Sequence, residues 1–204
     1  MADLLFVAPG GSGAAAFLVT ASSTLQSRTP SASHAITALH LNAATRAAVD
    51  AAIRSNESLL YFGHAERDEL GDAPDIVVDL TNVGGVSGVI VAMGCHSAAG
   101  LGATFHGSTQ RAYLGFDDLI RIPVFAPNRA IEAFEDGLTP LVAQAASVAD
   151  ARDALDAELI AAAGDYLRLR RRYGITDSEA LDARDMLRSD TLALVASGAT
   201  ARSL

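Results

Sequence analysis

Cys95 is the only cysteine of the chain, and it follows the apolar run Val89-Ile90-Val91-Ala92-Met93-Gly94. His64 follows a second run, Leu59-Leu60-Tyr61-Phe62-Gly63. Within them Leu59–Phe62 and Val89–Met93, short and apolar throughout, read as strands buried on both faces. Each reactive side chain would then leave the carboxyl end of a strand, the edge where ligands collect in open α/β sheets. A thiol attacks as its thiolate, which a nearby imidazole or helix N-terminus stabilises. An imidazole can take that proton and hand it to a leaving amine. His64 and Cys95 are therefore candidates for the general base and nucleophile of a cysteine hydrolase. Gly63 and Gly94, just before them, are expected to let a substrate backbone approach closely. The competing reading is structural, since a free cysteine usually behaves as a small buried hydrophobe.

The elements that must position these residues can be read along the chain. Leu4–Val7 predicts a strand closed by the turn Pro9-Gly10-Gly11. Ala14–Leu25 is apolar and small, helix or strand, and 26–33 reads as an exposed loop. Ala44, Ala47, Ala48, Ala51 and Ala52 form a helical stripe between Ala43 and Ser55. Asp75–Thr81 alternates or runs apolar, and Arg111–Phe116 reads as a strand after the cysteine. Strands separated by helical segments imply parallel βαβ units. Arg129–Ala145 is helical in pattern, as are Ala151–Tyr173 and Ser178–Ala196, with no strand signal after Ser147. The expectation is an α/β three-layer sandwich with a mostly parallel sheet in residues 1–146 and a helical C-terminal extension in 147–204.

Composition narrows the function classes. Half of the 204 residues are apolar and 19% are charged, as expected of a packed globular chain. No stretch reads as a transmembrane helix or a secretory signal. A lone cysteine forms no internal disulfide, which fits a reducing, cytoplasmic setting. A formal charge of −9 argues against nucleic acid as a partner. All 15 basic residues are arginine, a codon-usage signature of a GC-rich, bacterial genome.

Other constellations carry less. His96 and His106 beside Cys95 match no zinc spacing, so no metal is expected, and His34 and His40 fall in or near a loop. The turn Pro9-Gly10-Gly11-Ser12-Gly13 follows the first strand, where a phosphate-binding loop could sit. It lacks Gly-Lys-Ser/Thr and the full GxGxxG pattern, leaving a nucleotide- or small-molecule-binding protein as a further alternative. No Gly-x-Ser-x-Gly elbow is present. Arg168, Arg170, Arg171 and Arg172 suit a helix C-terminus or an acidic partner.

Apolar strand–Gly–His, then apolar strand–Gly–Cys–His–Ser, then Ala112-Tyr113-Leu114-Gly115-Phe116 resembles the caspase-like (clan CD) cysteine peptidases, in the bacterial CHAT and gingipain- or clostripain-like branch. The resemblance covers roughly residues 57–118. It implies a caspase-hemoglobinase fold in which His64 and Cys95 end adjacent parallel strands and form a catalytic dyad. It also implies an oxyanion hole from the amides of Ala65 and Cys95, no cofactor, a protein or peptide substrate, and a regulatory partner engaged through the C-terminal helices. Two departures stand out. Ala65 occupies the usual glycine position, where a positive φ would be strained. His64 and Cys95 are also only 31 residues apart, against about 50 in caspases. Asp117 and Asp118, after the third motif, would suit a basic substrate side chain. The alternative is a catalytically inactive caspase-like scaffold.

Overall fold

The structure, a computed structural model, describes residues 2–105 and 110–204. The chain runs β1 (Ala2–Gly10), α1 (Ala14–Arg28), β2 (His34–His40), α2 (Arg46–Ile53), β3 (Ser58–Gly63), then the short strands β4 (Ala65–Glu66), β5 (Glu69–Leu70) and β6 (Val78–Asp79). It continues through β7 (Val89–Met93), a π-helical turn at Ala98–Gly102, α3 (Ala103–Phe105) and β8 (Ala112–Phe116). It ends with α4 (Asn128–Ala143), α5 (Val148–Arg168), α6 (Arg170–Tyr173), α7 (Asp177–Ala193) and β9 (Leu194–Gly198).

Among the described residues a six-stranded sheet has the order β2-β1-β3-β7-β8-β9, with every pair parallel except β8–β9. Strands β3, β7 and β8 are buried along their whole length, which is why they read as unbroken apolar runs. Their alternate residues feed two cores. Leu60, Phe62, Val91, Met93, Leu114 and Phe116 face α1, α4, α5 and α7. Leu59, Tyr61, Ile90, Ala92 and Tyr113 face α2 and the apolar side chains of 77–86 and 101–105. The protein is thus an α/β fold with a mostly parallel sheet covered on both sides.

From β1 the chain steps outward to β2 and then reverses to β3 on the other side. The strand order therefore switches between β1 and β3, and a crevice opens beyond their carboxyl ends. The short strands β4, β5 and β6 form an antiparallel sheet above that crevice. Arg46 on α2 ties it down through Asp79, at 2.9 Å.

Several elements differ from expectation. His34 and His40 are not in a loop but bound β2, an edge strand of intermediate exposure that lacks an apolar run. α1 extends to Arg28, shortening the expected loop. Of Asp75–Thr81 only Val78–Asp79 pairs. Capping boxes start α5 and α7 earlier than the apolar pattern does: Ser147 with Asp150, and Thr176 with Glu179. Gly174, in the left-handed conformation, ends α6. The helical pattern expected through Ala196 stops at Ala193, because Leu194–Gly198 pairs with β8, whose outer edge would otherwise lack partners.

Residues 147–204 belong to the same core as the preceding part. Leu155, Leu159 and Leu187 share a cluster with Leu60 and Met93. At the α4–α5 crossing a Cβ on Gly137 would lie 2.5 Å from the Leu155 Cα, so the helices meet at backbone contact. Leu155→Ala should cost about 2–5 kcal/mol, read from the midpoint of denaturant unfolding. The transition should stay single, whereas two transitions would mean that the C-terminal helices fold as a separate unit.

Candidate active site

The β3–β7 ladder ends at the pair Phe62↔Met93. His64 and Cys95 each follow two residues later, so the two chemistry-bearing residues leave adjacent parallel strands at the same level. The strand ends approach closely. A Cβ on Gly94 would sit 2.9 Å from the Gly63 carbonyl oxygen and 2.6 Å from the Ala65 Cβ. A Cβ on Gly63 would meet the Tyr61 hydroxyl at 2.7 Å. The space a side chain would take at either glycine is filled by the chain itself, so both positions require glycine for the strand ends to pack.

The side chains then part. The His64 ring turns towards the loop after β1, where Nε2 lies 3.2 Å from the Ser12 carbonyl oxygen. A carbonyl only accepts, so Nε2 carries the hydrogen and Nδ1 the free lone pair of the neutral ring. The Asp72 carboxylate stands 3.5 Å from the same nitrogen and pairs with the ring once it is protonated. Gly11 makes this possible: at φ +133, any Cβ there would press within 2.9 Å of the imidazole. The Tyr61 hydroxyl, kept protonated by burial, donates to the His64 carbonyl. This corner borders a cleft of about 410 Å³ whose lining includes Gly10, Asn42, Arg46, Tyr61, His64 and Asp72.

Cys95 leans the other way, towards the segment after β8. The Ile120 amide donates to Sγ at 3.4 Å, and Sγ lies 3.9 Å from the Ile120 carbonyl. The thiol is half-buried against the core that carries α4 and α5. Burial pushes it above the usual thiol range, against the pull of the Ile120 amide and its own. The structure thus brings His64 and Cys95 to neighbouring strand ends but engages each with other partners.

Ala65 fits its place without the strain expected of it. It opens β4 and is not among the residues with positive φ. The Gly71 amide donates to the His64 carbonyl at 2.9 Å and Ala65 pairs opposite Leu70. Alternation in an antiparallel ladder then turns the Ala65 amide away from β5. That nitrogen would be 3.4 Å from a Cβ on Gly94, on the side of Cys95. Asp117 and Asp118 are exposed and outside the cleft lining. The Asp118 carboxylate accepts from the Leu119 amide at 2.8 Å, capping its own turn.

Asp190 on α7 gave no sequence signal, because Arg188-Ser189-Asp190 reads as a solvated helix face. It is fully buried. Oδ1 accepts from the Arg121 amide at 2.9 Å, while Oδ2 has no hydrogen-bond partner. Burial pushes its carboxyl up to about 8, opposed by the Arg121 amide and guanidinium. Ser12, Asp72 and Ile120 were likewise illegible, since their roles come from loops folding back onto the strand ends.

His40 Nε2 and the Ser22 hydroxyl are 3.1 Å apart within the fold. His96 Nδ1 donates to the Asp117 carbonyl at 3.3 Å, and His106 lies outside the described residues. Among the described residues no three His, Cys, Asp or Glu side chains are grouped to hold a metal ion. No helix among them is long and apolar enough to cross a membrane. No protein-family model matches the chain, and no curated protein matches its sequence.

Two outcomes test these environments. Alkylation of Cys95 by iodoacetamide should inflect above the ordinary thiol value of about 8.5, and His64→Ala should leave the profile in place. Inflection near neutrality that rises on removing His64 would instead mark a coupled pair. Asp190 keeps its proton in the folded state, whereas the unfolded chain releases it near its ordinary value, 3.8. Its contribution to stability is therefore full below about pH 4 and drains away as pH rises to about 8. The Arg121 guanidinium and the Cys95 thiol are the groups coupled to it electrostatically. The Tm of Asp190→Asn minus that of wild type should grow from about pH 5 to 8 and then level. A difference constant over that range would mean an ionised Asp190.

Proposed function

We propose that this chain is a caspase-like cysteine endopeptidase of the bacterial CHAT and gingipain- or clostripain-like type, held in a resting conformation. The observation that carries this reading is the placement of His64 and Cys95 two residues beyond one ladder pair, on adjacent parallel strands. Ala112–Phe116, the third motif of the resemblance, is the next strand of the same sheet.

Catalysis needs the Sγ to turn from Ile120 towards His64. His64 Nδ1 then takes the thiol proton while the Ser12 carbonyl holds Nε2–H. The thiolate adds to the scissile carbonyl carbon. The resulting oxyanion lies between the amides of Ala65 and Cys95, placed to donate where charge develops. Collapse of the intermediate breaks the C–N bond, and His64 delivers its proton to the leaving amine. Water, deprotonated by His64, then cleaves the thioester and restores the thiol. Asp72 stabilises the imidazolium formed in each half-reaction. The cleft beside His64 is the substrate groove of this reading, and Asp117 and Asp118, exposed outside its lining, are the candidates for meeting a basic substrate side chain. A regulatory protein partner, at the exposed Arg171 and Arg172 beyond α5, belongs to the same proposal.

One observation favours a second reading, that of an inactive scaffold: the thiol is hydrogen-bonded to Ile120 and kept protonated by burial. A peptide-library screen decides between the two under conditions where Cys95 alkylates freely. Cleavage should fall by roughly 10³-fold or more in Cys95→Ala and in His64→Ala. No cleavage by a freely alkylating wild-type chain would leave the scaffold.

A further inference from the structure

The segment Asp117–Ile122, between β8 and α4, binds both the candidate nucleophile and the end of α7 through its backbone. On one side, Ile120 brackets the Cys95 Sγ with its amide and carbonyl, at 3.4 and 3.9 Å. The His96 amide donates to the Asp118 carbonyl at 3.0 Å, and His96 Nδ1 donates to that of Asp117 at 3.3 Å. His96 holds φ +54, a conformation that costs a non-glycine residue energy and persists only where its surroundings impose it. On the other side, the Asp117 amide donates to the Ala193 carbonyl at 2.9 Å. The Arg121 amide donates to Asp190 Oδ1 at 2.9 Å, and its guanidinium to the Ser189 hydroxyl at 2.5 Å. Ile120 and Ile122 plug the segment into the core.

This closure carries its own cost. Asp190 is fully buried beneath Arg121 with one oxygen unpaired, and an orphaned buried polar atom is destabilising. Moving Arg121 away would let water reach that oxygen and release the His96 backbone. The arrangement therefore holds two costly features, the orphaned Asp190 oxygen and the left-handed His96 backbone.

We propose that Asp117–Ile122 is a strap that holds the Cys95 thiol away from His64, anchored on α7 by Asp190, and that the thiol becomes reactive when the strap is withdrawn. The catalytic consequence rests on the peptidase reading, whereas the masking of the thiol does not. The strap holds neither member of the dyad and does not line the cleft, but it carries Asp117 and Asp118, the candidates for meeting a basic substrate side chain.

Asp190→Ala tests the anchor, with Ser189→Ala as a milder variant that keeps the buried carboxyl. Two quantities are read on the full chain: the rate of Cys95 alkylation at fixed pH, and amide hydrogen exchange. In Asp190→Ala, alkylation should accelerate about tenfold, the factor matching loss of one net hydrogen bond, as the amides of 119–122 exchange faster. Amides of β3 and α5 should stay protected, which separates strap opening from global unfolding. Ser189→Ala should move both readouts the same way by less. The proposal is overturned if the 119–122 amides loosen in either variant while alkylation stays within about twofold of wild type. It is equally overturned if neither variant loosens them. Peptide cleavage by the same samples separates the two ideas. A freed thiol that cleaves nothing leaves the strap standing and removes the peptidase, while full cleavage by wild type with alkylation unmoved does the reverse.

Discussion

The structure depends on the pairing of β3 with β7 in the middle of a sheet that water does not reach. Every residue of both strands is buried, so each backbone N–H and C=O must find its partner in the ladder. A one-residue slip would also exchange the two apolar faces and send Leu60 and Phe62 to the side of Leu59 and Tyr61. The register is therefore fixed by packing on both sides at once. It is this register, extended past Phe62↔Met93, that sets His64 and Cys95 level with each other. Gly94 completes the arrangement, because the Gly63 carbonyl and Ala65 occupy the volume a side chain would need.

Two electrostatic regimes share the carboxyl edge of the sheet. Around β1 and β3 the groups are charged and paired: Arg46 joins Asp50 and Asp79, holding the Asp79 carboxyl well below the usual carboxylate range. Around β7 and β8 burial dominates and keeps groups neutral, with both the Cys95 thiol and the Asp190 carboxyl pushed up. His64 stands at the boundary. An imidazole on the hydrated side and a thiol on the dry side differ in what they need before they can exchange a proton. In the proposed mechanism it is the thiol that has to change environment.

The centre of this fold was legible because its strands announce themselves by composition. Leu59–Phe62 lies within β3, Arg111–Phe116 overruns β8 by one residue, and Val89–Met93 is β7 to the residue. The two outer strands were not legible, for opposite reasons. His34–His40 is a half-exposed edge without an apolar run, and Leu194–Gly198 continues a helical pattern until the bare edge of β8 claims it. At the site, residue type and strand position point to His64 and Cys95. The Ser12 carbonyl, the Ile120 amide and the Asp190 carboxyl are invisible in the same reading. Two of them are backbone groups with no side-chain signature, and the third owes its character to burial by a loop distant in sequence.

The antiparallel strand β9 also bears on how the protein is made. β8 lies beside the strand that leads to Cys95, yet its outer partner is synthesised roughly eighty residues later, a delay of about 4–16 s at ordinary translation rates. Throughout that interval the nascent chain presents an unpaired apolar strand edge, the kind of surface that recruits neighbouring chains. α4, α5 and α7 are translated within the same window and pack on the face of the sheet that includes Phe116. Chains that stop short of Leu194 would leave the outer edge of β8 without its partner strand.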